Sequence, residues 1–234
     1  MNSSTKAKKN RMQLFLTCEH GGHEIPKSYT KYFSDHAVLS SHRGWDIGAL
    51  KAARHLSVAL GAPLYHATIS RLLVELNRSI QHPKLFSDFT SVLKPAEKKQ
   101  LLEEYYFPYR NEVERKIKET AADATVLHIS VHSFTPILHG QARNAAIGLL
   151  YDPRRPDEKQ FCQQLKTSLL EELPDLKIRL NYPYRGTSDG FTTYLRKRFA
   201  KNYIGIELEI NQKNLIEEGD VITSAVSAAI KRII

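Results

Sequence analysis

Cysteine is nearly missing from this 234-residue chain: Cys18 and Cys162 are its only two. That is too few for a disulfide framework, so a reducing compartment, the cytoplasm, is the expected location. Long apolar runs are missing as well. No stretch approaches the roughly 18 unbroken apolar residues of a membrane span, so no membrane association is expected. Glycine and proline stand at 11 and 10, ordinary counts that exclude collagen-like and low-complexity chains. No internal repeat is visible at a period of about 20–50 residues. Several catalytic signatures are also lacking. There is no GxSxG elbow, no Walker loop, no GxGxxG and no HExxH. The serine hydrolases, nucleotide-binding folds and zincins those motifs mark are therefore not indicated.

What is present describes an ordinary globular protein, 41% hydrophobic and 25% charged, long enough to bury a sizeable core. Its net charge is +9. Part of that excess sits in residues 1–11 (MNSSTKAKKNR), which read as a basic flexible tail ahead of a single domain over 12–234. Elsewhere the basic residues are scattered. The one cluster, Arg196, Lys197, Arg198 and Lys201, reads as a solvated helix face rather than a nucleic-acid site, so the basic balance points to a small anionic substrate. The oligomeric state is not legible.

Short apolar runs alternate with helical patterns. Strands are expected at Gln13–Cys18, Thr125–Val131, Ala145–Leu150, Lys177–Leu180 and Tyr203–Ile210, and strands or extended segments at Pro63–Ala67 and Leu72–Leu76. Helices are expected at Asp46–Leu60, Pro95–Ala121, Pro156–Leu173, Gly190–Phe199 and Gly219–Ile234. Strands interleaved with helices argue for an α/β fold, a mixed, largely parallel sheet with helices on both faces.

In such sheets ligands bind beyond the carboxyl ends of the strands. Three segments there carry unusual polar groups. Glu19-His20-Gly21-Gly22-His23-Glu24 follows the first strand, and His132-Ser133 follows Thr125–Val131. Ile204–Ile210 carries Glu207 and Glu209 on one face of a strand, because side chains repeat every second residue. Two histidines at strand ends plus a carboxylate form a common zinc shell with a position left open for water. Glu207 or Glu209 could act as general base on that water. Arg71 and Arg78 bracket Leu72–Leu76, and Arg143 and Arg185 follow later; guanidinium groups suit forked contact with a substrate carboxylate.

The ordered set CEHGGHEIP (18–26), HRGWDIGA (42–49), SRLLVELNR (70–78), His132-Ser133 and GIELEINQ (205–212) resembles the N-formylglutamate amidohydrolase family, whose site logic is similar to that of zinc carboxypeptidases. The resemblance runs from about residue 13 to 215. It implies a three-layer α/β/α domain with one zinc ion on His20 and His132, and Asn77 and Arg78 holding the substrate carboxylate. It further implies Glu209, or else Glu207, as the base, and hydrolysis of N-formyl-L-glutamate to formate and L-glutamate. Position +3 from His20 is His23, not the glutamate that carboxypeptidases carry there. The third ligand is therefore assigned to Asp46, with Glu24 and His23 as fallbacks; the competing role for Asp46 is a helix N-cap. Glu75 stands where the family pattern carries Asp. Arg71 joins the catalytic set, and Ser133, Arg143 and Arg185 the substrate-binding set. Two rival readings share these residues: a peptidase or cell-wall amidase with the same site, and a non-catalytic basic binding protein with a degenerate metal site.

Overall fold

A computed structural model describes residues 12–234; the basic tail read at residues 1–11 lies outside them. The elements in chain order are β1 (Met12–Cys18), a 3-10 turn (Lys27–Tyr32), α1 (His36–Ser40), α2 (Ala49–Leu60), β2 (Leu64–His66), α3 (Pro95–Leu101) and a π-helical turn (Leu102–Tyr106) leading into α4 (Phe107–Ala121). Then come β3 (Thr125–Phe134), a small hairpin of β4 (Ile137–Leu138) and β5 (Gln141–Ala142), β6 (Ile147–Leu150), α5 (Pro156–Glu172), β7 (Ile178–Leu180), α6 (Phe191–Arg198), β8 (Tyr203–Asn211) and α7 (Gln212–Ile233).

Six strands form one sheet in the order β2-β1-β3-β8-β6-β7. β2, β1, β3 and β8 run parallel; β6 pairs antiparallel with β8, and β7 parallel with β6. The sheet is mixed and largely parallel, as its near-continuous apolar central strands require: β3 and β8 are covered on both faces. One face packs under α2, α5 and α7 through Ala53, Leu56, Leu165, Leu169, Val226 and Ile230. The other packs under α4 and α6 through Val113, Ile117, Phe191 and Leu195. This is the three-layer α/β/α arrangement.

A further apolar cluster sits beside the sheet. It gathers Tyr29, Phe33, Leu73, Val74, Leu76, Leu85, Leu101 and Tyr106. Here the strand alternative for one segment fails. Leu72–Leu76 is not a strand but a chain of turns. Its backbone groups are paired without a neighbouring strand: Glu75 N–H donates to Leu85 O, Ser87 Oγ donates to Leu72 O, and the Arg110 guanidinium donates to Leu76 O. An apolar run can be buried in irregular form wherever side chains satisfy its carbonyls.

Two boundaries also move. α2 starts at Ala49 rather than Asp46, because Gly48 takes a left-handed conformation (φ 84°) and serves as its N-cap. α7 starts at Gln212 rather than Gly219. Asn211 caps it by accepting from Lys213 N–H at 3.1 Å, and a non-helical Glu218 bends it just before Gly219.

Candidate metal centre and active site

The site forms where β1, β3 and β8 end on the same edge of the sheet. His20 lies two residues beyond β1, and its carbonyl accepts from Asp46 N–H at 3.0 Å, which ties the segment before α2 to the end of β1. The two glycines after His20 are required by close approach: a Cβ on Gly21 would lie 2.8 Å from Ala67 O, and one on Gly22 2.4 Å from Thr68 O. His132 lies within β3, which runs on to Phe134 instead of stopping at Val131, and it is in register with Glu209 on β8. Asp46 is not a cap. With Gly48 filling that position, its carboxylate is free to turn inward.

It turns toward both imidazoles. Asp46 Oδ2 lies 2.8 Å from His132 Nδ1 and 3.3 Å from His20 Nδ1. The two rings are 5.0 Å apart, centroid to centroid. One ligand atom from each of His20, Asp46 and His132 falls within 4.8 Å of the others, and all three residues are buried. Behind the rings, His20 Nε2 meets Glu75 Oε1, and His132 Nε2 lies 2.8 Å from Ser130 Oγ and 3.2 Å from Glu19 Oε2. Each imidazole thus faces a carboxylate on both of its nitrogens. A neutral imidazole carries a single N–H, so the inner nitrogens and Asp46 call for added positive charge.

The electrostatics agree. Burial alone would lower both histidines, but Glu75 and Asp46 carry His20 above its ordinary pKa despite Arg71, and Asp46 and Glu19 carry His132 well above. Burial would raise Asp46, yet His20, His132 and Arg71 hold it well below the usual carboxylate range. The residues present fit a divalent metal ion. They supply two nitrogens and one oxygen, and an outer carboxylate stands behind each histidine in the manner of structured metal centres.

The cleft in front of the cluster is lined by Arg71, Asn77, Arg78, Ser133, Tyr184, Arg185, Ser188, Asp189, Glu207 and Glu209 beside His20, Asp46 and His132. Glu209 is buried with its Oε2 unpartnered. Burial, with Asp46 and Glu207 adding and His132 and Arg71 only partly offsetting, pushes its pKa up to about 8. Glu207 is occupied, accepting from Thr192 Oγ1 at 2.5 Å. Asn77 Oδ1 accepts from Phe191 N–H at 2.6 Å at the start of α6, and its Nδ2 lies 3.4 Å from His132 Nε2. Arg78 reaches the Asp189 carbonyl. Ser133 Oγ donates to Ile47 O at 2.8 Å.

Residues 12–216 match the profile of the N-formylglutamate amidohydrolase family. The chain belongs to that family. It is a hydrolase of amide bonds. Among curated proteins none matches its sequence. Among solved structures, a gene product of Agrobacterium tumefaciens is similar over 94% of this chain and 91% of its own, with 29% identity and a TM-score of 0.77. An N-acetylmuramoyl-L-alanine amidase from Clostridium difficile is 11% identical, covering 95% of this chain and 96% of that one, with a TM-score of 0.46. A metallo-carboxypeptidase from Burkholderia cenocepacia is 13% identical, covering 98% and 58%, with a TM-score of 0.45.

In this amidohydrolase several expected residues lie elsewhere. The fallback ligands are outside the cluster: His23 is exposed with its ring tilted against Trp45 at 5.1 Å, and Glu24 is exposed and accepts from Thr68 Oγ1 at 2.8 Å. Both sit past the two glycines, where the chain has turned away. Arg143 does not line the cleft; it donates to Tyr184 Oη at 3.1 Å and so meets the cleft through that ring. Arg71 is in the cleft but occupied, donating to Asp46 Oδ1 at 3.0 Å and to Glu75 Oε2 at 2.6 Å. Arg71 and Glu75 thus frame the ligands. Glu19 is named in its segment but given no role by the sequence, and Ser130 and Tyr109 are not singled out. The available signal was Glu19 itself, a carboxylate at the end of a buried strand, which is costly without partners.

Proposed function

We propose that this amidohydrolase is a zinc enzyme that hydrolyses a small N-acylated acidic amino acid, N-formyl-L-glutamate, to formate and L-glutamate. One observation carries the reading. A single cleft of about 160 Å³ joins the buried His20–Asp46–His132 cluster, the unpartnered carboxylate oxygen of Glu209, and the side chains of Arg78 and Arg185. Three nitrogen and oxygen ligands with a fourth position open are the habit of catalytic zinc. Zinc held there supplies Lewis acidity, polarising the scissile carbonyl and lowering the pKa of a water.

The chain's own residues do the rest. Glu209 takes a proton from the attacking water and passes it to the leaving amine. Arg78 and Arg185 have no carboxylate partner among the described residues, so they suit a substrate that brings two carboxylates of its own. Arg71 differs, being neutralised by Asp46 and Glu75. Asn77 and Ser133 border the substrate, and Arg143 steadies Tyr184 at the rim. The two cysteines, both buried free thiols, support a cytoplasmic setting.

The test is metal analysis of protein purified without chelator, followed by measurement of formate released from N-formyl-L-glutamate. Stoichiometric zinc, loss of activity on chelation and recovery on zinc addition are expected. Full activity after chelation, or in a His20→Ala variant, overturns the mechanism.

A further inference from the structure

Glu19 is the residue least explained by the reaction. It precedes His20 in sequence but does not serve His20. Its side chain is fully buried, at 0% exposure, and reaches across to the neighbouring strand. Oε2 accepts from Ser130 Oγ at 2.6 Å and lies 3.2 Å from His132 Nε2; Oε1 accepts from Tyr109 Oη at 3.0 Å. Tyr109 belongs to α4, on the far side of the sheet from α2. The carboxylate therefore makes three contacts, drawn from two elements, and one of them falls on the outer nitrogen of a candidate metal ligand.

We infer that Glu19 is the positioning residue that sets His132 for metal binding. This rests on the reading of His20, Asp46 and His132 as the ligand set. The physical argument has three parts. Glu19 and the Ser130 hydroxyl that donates to it, 3.2 and 2.8 Å from Nε2, place the N–H there, and the Nδ1 lone pair is left facing Asp46 and the ion, so the Glu19–Ser130 pair chooses the tautomer. A negative oxygen behind the ring makes the imidazole a stronger donor to a cation. Ser130 and Tyr109 fix the carboxylate itself, so the acceptor behind Nε2 is held in place for the ring. The two ligand histidines are also crossed. The peptide that carries His20 carries, one residue earlier, the support for His132, while His20 takes its own support from Glu75 on a distant turn. A shift at the end of β1 would thus disturb both ligands together.

The experiment is a zinc dissociation constant from competition with a chromophoric chelator, with the visible spectrum of the cobalt(II)-loaded protein as a second readout. It would be measured on the full chain and on the Glu19→Gln, Ser130→Ala, Tyr109→Phe and Asp46→Asn variants. Glu19→Gln is expected to weaken zinc by about 10–100-fold and to shift the cobalt spectrum, while the metal-free variant keeps the wild-type near-UV circular dichroism. Tyr109→Phe, which leaves the carboxylate but loosens it, is expected to weaken zinc in the same direction by less, and it decides the matter if Glu19→Gln does not fold; Ser130→Ala also removes the hydroxyl 2.8 Å from His132 Nε2 and is expected to weaken zinc more than Tyr109→Phe. Unchanged affinity in Glu19→Gln, or in Tyr109→Phe, while Asp46→Asn loses zinc, overturns the role of Glu19 and leaves the metal centre standing. A wild-type protein that binds no divalent ion overturns both.

Discussion

Arg71 and Asp46 are joined by a 3.0 Å ion pair through Oδ1, the carboxylate oxygen that the histidines leave unused. The same guanidinium donates through Nε and Nη2 to Glu75 Oε2, at 2.9 and 2.6 Å, and Glu75 in turn supports His20. One cation therefore holds a candidate ligand and the support of another. Replacing Arg71 with Met should weaken metal binding by about 10–100-fold, read by chelator competition. Unchanged affinity with reduced turnover would instead assign Arg71 directly to the substrate.

Glu209→Gln removes the proposed base while keeping its shape. Turnover of N-formyl-L-glutamate should fall by about 10²–10⁴, with zinc content unchanged by elemental analysis. A variant that keeps wild-type turnover would shift the proton-transfer role to Glu207.

Substrate capture should depend on residues well behind the cleft. Arg110 is 4% exposed and lies between the rings of Tyr106, Phe191 and Tyr194, 4.9, 4.2 and 4.7 Å from their centroids. Its Nη1 donates to the carbonyls of Leu76 and Arg78, at 2.8 and 3.4 Å, and so fixes the backbone on either side of Asn77. Arg78→Ala should raise KM by about 10–100-fold, the worth of a hydrogen bond to a charged group. Arg110→Met should move KM in the same direction with zinc affinity unaltered. Equal KM in Arg110→Met and wild type would count against this chain of support.

A buried histidine away from the site should give stability a pH slope. His128 is fully buried between Thr17 Oγ1 at 2.8 Å and Tyr203 Oη at 2.7 Å. Burial, with Arg196 and His132 adding and Glu19 opposing, lowers its pKa to about 4. Unfolded, the ring titrates near 6.5. Between these values the unfolded chain binds a proton that the folded one refuses, so the contribution is complete above about pH 6.5 and is lost as pH falls toward 4, to a total of about 3 kcal/mol. Urea midpoints at pH 7.5 and 4.5 should differ less in His128→Gln than in wild type. Identical slopes would place the acid sensitivity elsewhere.

Much of the site was readable because its residues are bound to backbone positions. His20 and His132 are found from apolar strands that end, or nearly end, where they stand, and Glu207 and Glu209 from the two-residue period of a strand. Asp46 needed the family pattern, since an aspartate ahead of a helix has an equally good use as a cap; only Gly48 in its left-handed turn decides between them. Residues whose meaning lies in side chains distant in sequence stayed hidden. Nothing local says that Glu19 serves His132, or that Ser87 and Arg110 pair the carbonyls of Leu72 and Leu76 and so allow an apolar run to be buried without becoming a strand. The bend at Glu218 likewise concealed the first turn of α7, because Gly219 after it reads as a start.

The three candidate ligands stand at positions 20, 46 and 132, just past β1, ahead of α2 and near the end of β3. If the proposed zinc ion is held by all three, it is a rivet as well as a reagent, and the stability of the folded chain then follows the concentration of free zinc. Each tenfold rise above the dissociation constant adds about 1.4 kcal/mol against unfolding. Scarcity of that ion would then loosen the fold as well as silence the site.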